Sequence, residues 1–374
     1  MEYWIWLSGL RGIGPIAQKK LLEYFKTPNR IYESSEEELV TVPGIGSSLA
    51  QSICEARSLD GAFSVLEELN QKKMKVLAYD DPLYPDLAKE WPEAPVVLYY
   101  MGTIRKSCVG QGIVGSRRCS AYGKQVAVEA AGYLAQKDIP VISGLAKGID
   151  GYAHTACLKA GGYTIAFLGN GLDVYYPREH RELQASIIEN GAVVSMYLPG
   201  TKPRPEHFPK RNGLISSWSR KLLVAEAANK SGALITAQLA KTLGREIFVP
   251  PHEIYRVSGQ GTNQLLKNGA TLYLKPEQLD CRDFLKEQFL SETNETTGPV
   301  ANSRSKRKQN RTERKLTADE AKIQAVLISS EKNIQQIEAL TGISQVCLIE
   351  RLSIMELEGV VALSSCGCYK FLDC

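Results

Sequence analysis

The sequence has no long apolar run, and none approaches the ~20 residues that a membrane-spanning helix needs. Its first residues, MEYWIWLSGLRGIG, are apolar but form a short stretch without the basic segment that begins a signal peptide. These absences predict a soluble cytoplasmic protein that does not use a membrane as a partner.

Residues that ligate metals are also sparse. The chain has four histidines, and its nine cysteines show no regular spacing beyond a lone C-x-C at Cys366 and Cys368. This pattern argues against a zinc site or a disulfide framework and favours free thiols in a reducing cytosol. The P-loop pattern G-x-x-x-x-G-K-[ST] is missing as well, so we expect no ATP hydrolysis, no metal and no cofactor.

A strong charge of either sign is missing from the chain as a whole, since its net charge is only +4. Positive charge is instead concentrated in residues 302–316, which hold seven Lys or Arg and one acid, Glu313. Such a run is typical of a solvated segment and sometimes contacts polyanions. The polar stretch 286–316 that contains it is predicted to be a linker.

Residues 71–285 alternate strand and helix patterns. Apolar strands are predicted at 107–114, 139–143, 163–169, 192–197, 221–227 and 246–251. Helices are predicted at 120–136, 149–160, 178–190, 213–219 and 233–244. This alternation predicts an α/β fold, a Rossmann-like, doubly wound, mostly parallel sheet that binds ligands at the carboxyl ends of its strands. We expect a small helical domain before it (1–70) and a winged-helix-like domain after it (317–374).

The N-terminal region contains a short internal repeat, or echo, of a G-I-G pattern. LRGIG begins at Leu10 and VPGIG at Val42, and each precedes a helical pattern. Glycines permit tight turns whose free N–H groups can bind a phosphate at a helix start. The pattern resembles the helix-hairpin-helix, or SAM-like, motif of DNA-binding proteins. A small helical bundle that needs glycines between its helices explains it equally well.

GQGIVG (110–115) spells the dinucleotide fingerprint G-x-G-x-x-G, but the fingerprint fails here. Gly110 and Gly112 fall inside the predicted strand, and only Gly115 reaches the turn. The acid that should bind the ribose near the end of the second strand is missing. We therefore predict that the loop binds a phosphate of another kind.

Several strand-end loops carry glycines, hydroxyls or cations suited to phosphates. Such loops predict a surface along which an extended phosphate backbone can run. The candidate residues are Gly115, Ser116, Arg117, Ser143, Gly144, Lys147, Gly148, Asn170, Lys210, Arg211, Asn212, Ser231 and Gly232. The segment KRNG (210–213) is expected to precede a helix.

Six segments in this order resemble the DNA-processing protein A family (DprA, also called Smf). They are VGSR (114–117), SGLAKGIDGYAH (143–154), TIAFLGNGLDVYYP (164–177), FPKRN (208–212), EAANKSGALITA (226–237) and GTNQLLKNGA (261–270). The resemblance implies a homodimeric, non-enzymatic protein that binds single-stranded DNA. It implies that the protein protects incoming strands during natural transformation and loads the RecA recombinase, displacing single-strand-binding protein. It carries DNA contact onto the Gly115-Ser116-Arg117 turn first, and then onto Lys147 and the 169–173 and 210–212 loops.

The chain departs from the family pattern in places. Gly213 stands where the family usually has a second arginine, and Met196 stands where it has an acid. VPPHE replaces the usual V-P-G. These changes predict a DNA groove that is weaker or differently shaped.

Other functions remain open. A phosphoribohydrolase-like enzyme of the same superfamily shares the strand–loop–helix plan. Its catalytic glutamate has no counterpart here, since EAANKSGALITA (226–237) has Thr236 and is followed by Gln238. Asp150 and His154 share a helix face, and we expect a structural hydrogen bond there rather than a metal. Tyr175 and Tyr176 could stack on bases, although we expect one of them to close the core.

The C-terminal tail predicts a helix, a T-G-I-S turn, a second helix and a two-stranded wing. The second helix, SQVCLIERLSIMELEG, has one arginine and three glutamates. A helix that reads the major groove normally needs more cations, so a transcription factor is disfavoured and an auxiliary role for the tail is expected.

Overall fold

A computed structural model of the chain describes residues 1–106 and 108–280, and residues 318–371 with gaps at 329, 346–347, 349–350, 353–354, 356–359 and 364–367. It divides into two compact units, Met1–Asn294 and Glu295–Cys374. The linker predicted at 286–316 lies outside the described residues. Within the described part of the chain, the helices are too short or too polar to cross a membrane.

The first unit begins with six short helices. They are α1 (Glu2–Gly9), α2 (Pro15–Phe25), α3 (Pro28–Glu33), α4 (Glu36–Val40), α5 (Ser47–Glu55) and α6 (Asp60–Gln71). Gly12 and Gly44, the first glycine of each echo, have φ of 77° and 93°, which favour glycine. The isoleucine that follows each of them is buried, and the next glycine is the N-cap of α2 or α5. The echo therefore builds the same turn-and-helix unit twice.

A nine-stranded sheet follows. Its strands are β1 (Lys75–Ala78), β2 (Val97–Gly102), β3 (Gly110–Gly115), β4 (Val141–Ser143), β5 (Thr164–Leu168), β6 (Ala192–Ser195), β7 (Ser219–Glu226), β8 (Glu246–Val249) and β9 (Thr271–Leu272). Their order in the sheet is β1-β2-β6-β5-β4-β3-β7-β8-β9. The strands from β6 to β9 in this order pair in parallel, while β2 pairs antiparallel with β6 and with β1. The predicted Rossmann-like, mostly parallel sheet is confirmed. It is extended by β1 and β2 at one edge and by β9 at the other, three strands that the sequence analysis did not identify.

The helices of this region are α7 (Asp86–Lys89), α8 (Ala121–Gln136), α9 (Ile149–Lys159), α10 (Arg181–Asn190), α11 (His207–Trp218), α12 (Gly232–Thr242) and α13 (Gln260–Lys267). One apolar core forms between the sheet and α8 and α9, and another between the opposite face and α11 and α12. Neighbouring residues of β3 show the division, since Ile113 belongs to the first core and Val114 to the second. The sheet is therefore covered on both faces.

The chain reverses its direction of travel across the sheet between β3 and β7. These strands are neighbours, but α8 leaves β3 on one face and α12 leaves β7 on the other. The loops at their carboxyl ends separate as a result and open a crevice between them. This crevice is the topological switch point of the fold.

Two helix predictions need correction. The helix expected at 213–219 begins six residues earlier, at His207, and ends at Trp218, while Ser219 starts β7. The segment KRNG therefore lies within α11 instead of preceding a helix. The pattern at 178–190 divides into a 3-10 turn (Arg178–His180) and α10.

The second unit is small. It contains α14 (Ala318–Leu327), α15 (Ile334–Thr341) and an antiparallel pair, β10 (Val361–Leu363) with β11 (Tyr369–Phe371). The side chain of Asn333 caps α15, and Gly342 ends it with φ of 68°. The core includes Ile323, Ile337 and Leu352. Part of the predicted second helix lies outside the described residues, and the winged-helix-like assignment stays a prediction.

Candidate functional site

A cleft of about 820 Å³ opens at the switch point. Residues 114–118, at the end of β3 and in the turn after it, form one wall, and residues 228–236, at the start of α12, form the opposite wall. The third side consists of residues 203–205 and the first turns of α11. The predicted residues Gly115, Ser116, Arg117, Arg211, Asn212, Ser231 and Gly232 line this cleft together.

Positive charge dominates the lining. Among the described residues, the cations at the cleft are Arg117, Arg118, Arg204, Arg211 and Lys230. The acid that lines it is Asp150, which is buried and accepts a hydrogen bond from the backbone N–H of Ala146 at 3.3 Å. Four of the five cations are exposed, so the cleft presents positive charge to solvent. Such a surface attracts phosphate groups.

The turn after β3 is close to its neighbours on every side. A Cβ on Gly115 would lie 2.6 Å from Ile149 Cγ1 and 2.9 Å from the carbonyl oxygen of Glu226, so glycine is required there. The backbone N–H of Ser116 donates to that same carbonyl at 2.8 Å. Arg117 is exposed, and its guanidinium lies 5.6 Å from the ring centroid of Phe208. The turn is therefore fixed while its cation stays available to a ligand.

Gly148, at the start of α9, packs against the backbone of this turn. Its φ of 78° and ψ of −127° are open to glycine alone, and a Cβ there would lie 2.3 Å from the carbonyl oxygen of Ser116. The next residue, Ile149, donates its N–H to that carbonyl at 3.2 Å. The loop between β4 and α9 thus holds the Arg117 turn in place, and Gly148 acts through the turn instead of lining the cleft.

Glu226 is a supporting residue that the sequence analysis missed. It ends β7, is fully buried, and accepts hydrogen bonds from the backbone N–H (3.1 Å) and the hydroxyl of Ser120. Ser120 in turn caps α8 by accepting from the N–H of Gly123 at 3.1 Å. The carboxylate therefore anchors the end of the cationic turn at the start of α8. A buried acid at a strand end within EAANKSG was the available signal.

Arg211 was expected to contact DNA from a segment that precedes a helix, but it is buried within α11. Its guanidinium donates to the carbonyl oxygens of Gly144 and of Phe167, the latter at 2.7 Å. Burial raises the pKa of the Asp150 carboxyl, and the positive charge of Arg211 acts in the opposite direction and lowers it. Arg211 therefore ties α11 to the loop after β4 and to β5 itself.

The other predicted residues divide into two groups. Gly144, Lys147 and Asn170 line a second, smaller cavity of about 60 Å³ that shares Arg117 and Arg211 with the cleft. Lys147 is exposed and pairs with Glu179, whose pKa it lowers. The side chain of Asn170 is buried and donates to Gly171 and Val174 carbonyls. Ser143 and Lys210 lie outside both cavities.

Ser143 is fully buried and donates its hydroxyl to the carbonyl oxygen of Ile113 at 2.6 Å, so it holds β4 to β3. Lys210 is exposed, but it lines a separate cavity between α11 and the N-terminal helices. Neither residue faces the cleft.

The acid and histidine of α9 have structural roles. Asp150 binds the loop before α9, as expected, and His154 Nδ1 lies 2.7 Å from Thr164 Oγ1 on β5. Complete burial lowers the pKa of His154 to about 3, so it stays neutral. In the described part of the chain, no cluster of three His, Cys, Asp or Glu could hold a metal ion.

The two tyrosines after β5 are both 40% exposed, so neither closes the core as expected for one of them. Tyr176 lines the cleft and lies 5.5 Å from the ring of Phe208. Tyr175 lies under the guanidinium of Arg181. The departure at Gly213 has a packing reason, because a Cβ there would lie 2.2 Å from Trp91.

Fold and cleft together define a Rossmann-like protein whose switch point presents exposed cations, a surface suited to phosphate groups.

Comparison with known proteins assigns the chain to a family with a role in DNA recombination. The family model described as DNA recombination-mediator protein A matches residues 75–282, and a SAM-like helix-hairpin-helix tandem matches residues 7–58. The chain belongs to the DNA recombination-mediator protein A family.

Individual relatives are similar over half of this chain or more. Protein Smf of Synechocystis is 38% identical over 282 residues, which cover 74% of this chain and 71% of that protein. DNA processing protein DprA of Streptococcus pneumoniae is 41% identical over 193 residues, covering 51% of this chain and 68% of that protein. The X-ray structure of DprA from that organism has a TM-score of 0.63 at 32% identity, covering 77% of this chain and 98% of that one.

A second solved structure is described by its single-stranded DNA binding mode. It is DNA processing protein A from Helicobacter pylori, with a TM-score of 0.50 and 26% identity. The match covers 59% of this chain and 97% of that one.

Proposed function

We propose that this protein binds single-stranded DNA in the cleft at the switch point and acts as a recombination mediator without catalysing a reaction. In this role it protects incoming strands during natural transformation and loads the RecA recombinase onto them, displacing single-strand-binding protein. It acts as a homodimer in the cytoplasm and uses no cofactor.

The observation that carries the proposal is the Arg117 turn. It combines a fixed backbone, an exposed guanidinium and a position at the switch point of the sheet. Exposed cations on the other walls extend the positive surface, which suits a chain of phosphates better than a single one. The relative from Helicobacter pylori is described as a single-stranded DNA binder, which supports the same ligand class here.

A nucleotide-cleaving enzyme would need a general acid or base in the cleft. Among the residues that line it, Asp150 alone is a carboxylate, and it is buried and bound to the backbone. Thr236 lines the cleft, but Gln238, two residues later, is an amide that cannot replace a catalytic glutamate. The lining therefore favours binding over cleavage.

The test is the binding of a fluorescent oligo-dT to the purified protein across a salt series, with duplex DNA as the competitor. We expect tight binding to single strands that falls steeply with salt, since each phosphate contact adds about 0.7 to the logarithmic salt slope. Arg117→Ala should weaken binding about tenfold. It should also reduce the salt slope by about 0.7, the value expected for one lost phosphate contact.

Lys159→Ala is the matched control, because Lys159 is an exposed cation at the far end of α9, away from the cleft. It should leave the affinity and the slope unchanged. If the wild-type protein fails to bind oligo-dT at low salt, the proposal is wrong, and nucleotides should then be screened for turnover.

A further inference from the structure

The segment that follows β8, residues 250–257 (the Tyr255 loop), presents apolar side chains to solvent. Tyr255 is 90% exposed, and Ile254 and Val257 are 72% and 68% exposed. An exposed patch that includes an aromatic ring commonly marks an interaction site. Neither the binding cleft nor the apolar cores account for this tyrosine.

The Tyr255 loop is held by hydrogen bonds at its base. The N–H of His252 donates to the side-chain oxygen of Asn263 at 3.1 Å, and the amide of Asn263 donates to the carbonyl of His252 at 3.0 Å. Arg256 N–H donates to Glu253 at 3.0 Å, closing a turn around Tyr255. The ring is therefore presented by a tied loop, which lowers the entropy lost when a ligand binds it.

The loop also adjoins the cleft. Asn229, in the loop after β7, donates to the side chain of Gln260 at 2.9 Å, just beyond the Tyr255 loop. On the other side, the ring of Tyr122 in the first turn of α8 lies edge-on to His252, with centroids 5.2 Å apart. Tyr122 is itself 39% exposed and follows the cationic turn of Arg117. The Tyr255 loop thus contacts α8, which follows one wall of the cleft. Gln260 of α13, three residues after the loop, contacts the segment that forms the opposite wall.

The geometry points to Tyr255 as a stacking platform, on which a nucleobase of the bound strand lies as the strand leaves the cleft on the β8 side. Aromatic side chains stack on any base, which suits a protein that must bind strands of every sequence. Charge favours a nucleic acid over an apolar protein partner, because Arg256 beside Tyr255 is exposed and Glu253 is the one acid in the loop. A further exposed cation, Lys230 of the cleft, follows Asn229, whose side chain bonds Gln260. This inference rests on the proposed function and deepens it.

The experiment compares Tyr255→Ala and Tyr255→Phe with the wild type. Two fluorescent probes are used: oligo-dT, and an abasic strand with the same number of phosphates. Tyr255→Ala should weaken oligo-dT binding about 5- to 100-fold, the range expected for one lost stacking contact, without changing the salt slope. It should hardly affect the abasic strand, and Tyr255→Phe should bind like the wild type because it keeps the ring.

Tyr24→Ala is the matched control, since Tyr24 on α2 is also exposed, at 54%, among the N-terminal helices. It should not alter binding. Light scattering of the same variants reports their mass. If Tyr255→Ala changes the mass but binds oligo-dT like the wild type, the loop is a protein-docking surface and the inference is wrong.

The inference also fails if Tyr255→Ala binds both probes like the wild type. In that case the proposed function is still tested on its own, by comparing oligo-dT binding of the wild type and of Arg117→Ala. Absence of oligo-dT binding by the wild type would overturn both.

Discussion

Two arginines at the cleft show how the same side chain can serve different purposes. Arg117 is exposed beside a fixed turn, whereas Arg211 is buried and bound to backbone carbonyls. A sequence motif assigns both to DNA contact, but a buried guanidinium that already donates to two backbone carbonyls contributes to the shape of the cleft. Loss of DNA binding in an Arg211 variant would therefore not identify a phosphate contact.

We predict that Arg211→Ala lowers the free energy of unfolding by about 3–5 kcal/mol, because it leaves Asp150 and two carbonyls without their buried partner. Arg117→Ala should change it by less than about 0.5 kcal/mol, since that side chain is exposed. Urea denaturation of both variants measures the difference. An Arg211→Ala protein that is as stable as the wild type but has lost oligo-dT binding would instead make Arg211 a direct contact.

At the level of elements, the alternation of strand and helix was readable because parallel strands are buried on both faces and their apolar runs are continuous. The start of α11 could not be read, because Pro209 suggests a helix breaker and the helix was therefore expected only from Gly213 onward. Proline is tolerated in the first helical turn, where its missing N–H is not needed. Gly213 is tolerated because the ring of Trp91 occupies the space of its side chain.

The site was predictable in part for a similar reason. KRNG was expected to be a loop but lies within α11. The other candidate loops follow strands as predicted, and the structure brings most of them to one edge of the sheet. The sequence could not tell which polar residues face inward, because exposed Arg117 and buried Ser143 each lie at the end of a strand. The role of Glu226 depends on the pairing of β7 with β3, which no local pattern reveals.

The two ends of α9 offer a test of how a loop supports the cleft. Gly148 and Gly161 both have φ near +75°, at 78° and 73°, but only Gly148 has backbone within contact of a Cβ. Gly161→Ala should therefore cost about 1 kcal/mol in backbone strain and leave DNA binding unchanged. Gly148→Ala should cost more and displace the Arg117 turn, weakening oligo-dT binding about tenfold.

Denaturation and oligo-dT titration of the two glycine variants provide the comparison. Equal affinities would mean that the loop between β4 and α9 does not position the turn.

At the scale of the whole molecule, the N-terminal helices and the sheet share one apolar core. Leu7 and Leu21 of the helices belong to the same cluster as Val97 of β2 and Leu168 of β5. The cavity that Lys210 lines lies between these parts. The helix-hairpin-helix repeats are thus built into the unit that contains the cleft, and residues Met1–Asn294 should act as one body in DNA binding.

The last prediction concerns the rest of the chain. The cleft and the Tyr255 loop lie within Met1–Asn294, while the basic run at 302–316 follows it in sequence. A chain truncated after Asn294 should therefore bind a short oligo-dT within about twofold of the full-length affinity, with the same salt slope, because its phosphate contacts are all retained. The comparison needs a short strand, since a longer one could also reach the basic run. Truncation could instead reduce the salt slope by the equivalent of several phosphate contacts. Residues 302–316 would then make much of the contact with the phosphates, and the cleft alone would not hold the strand.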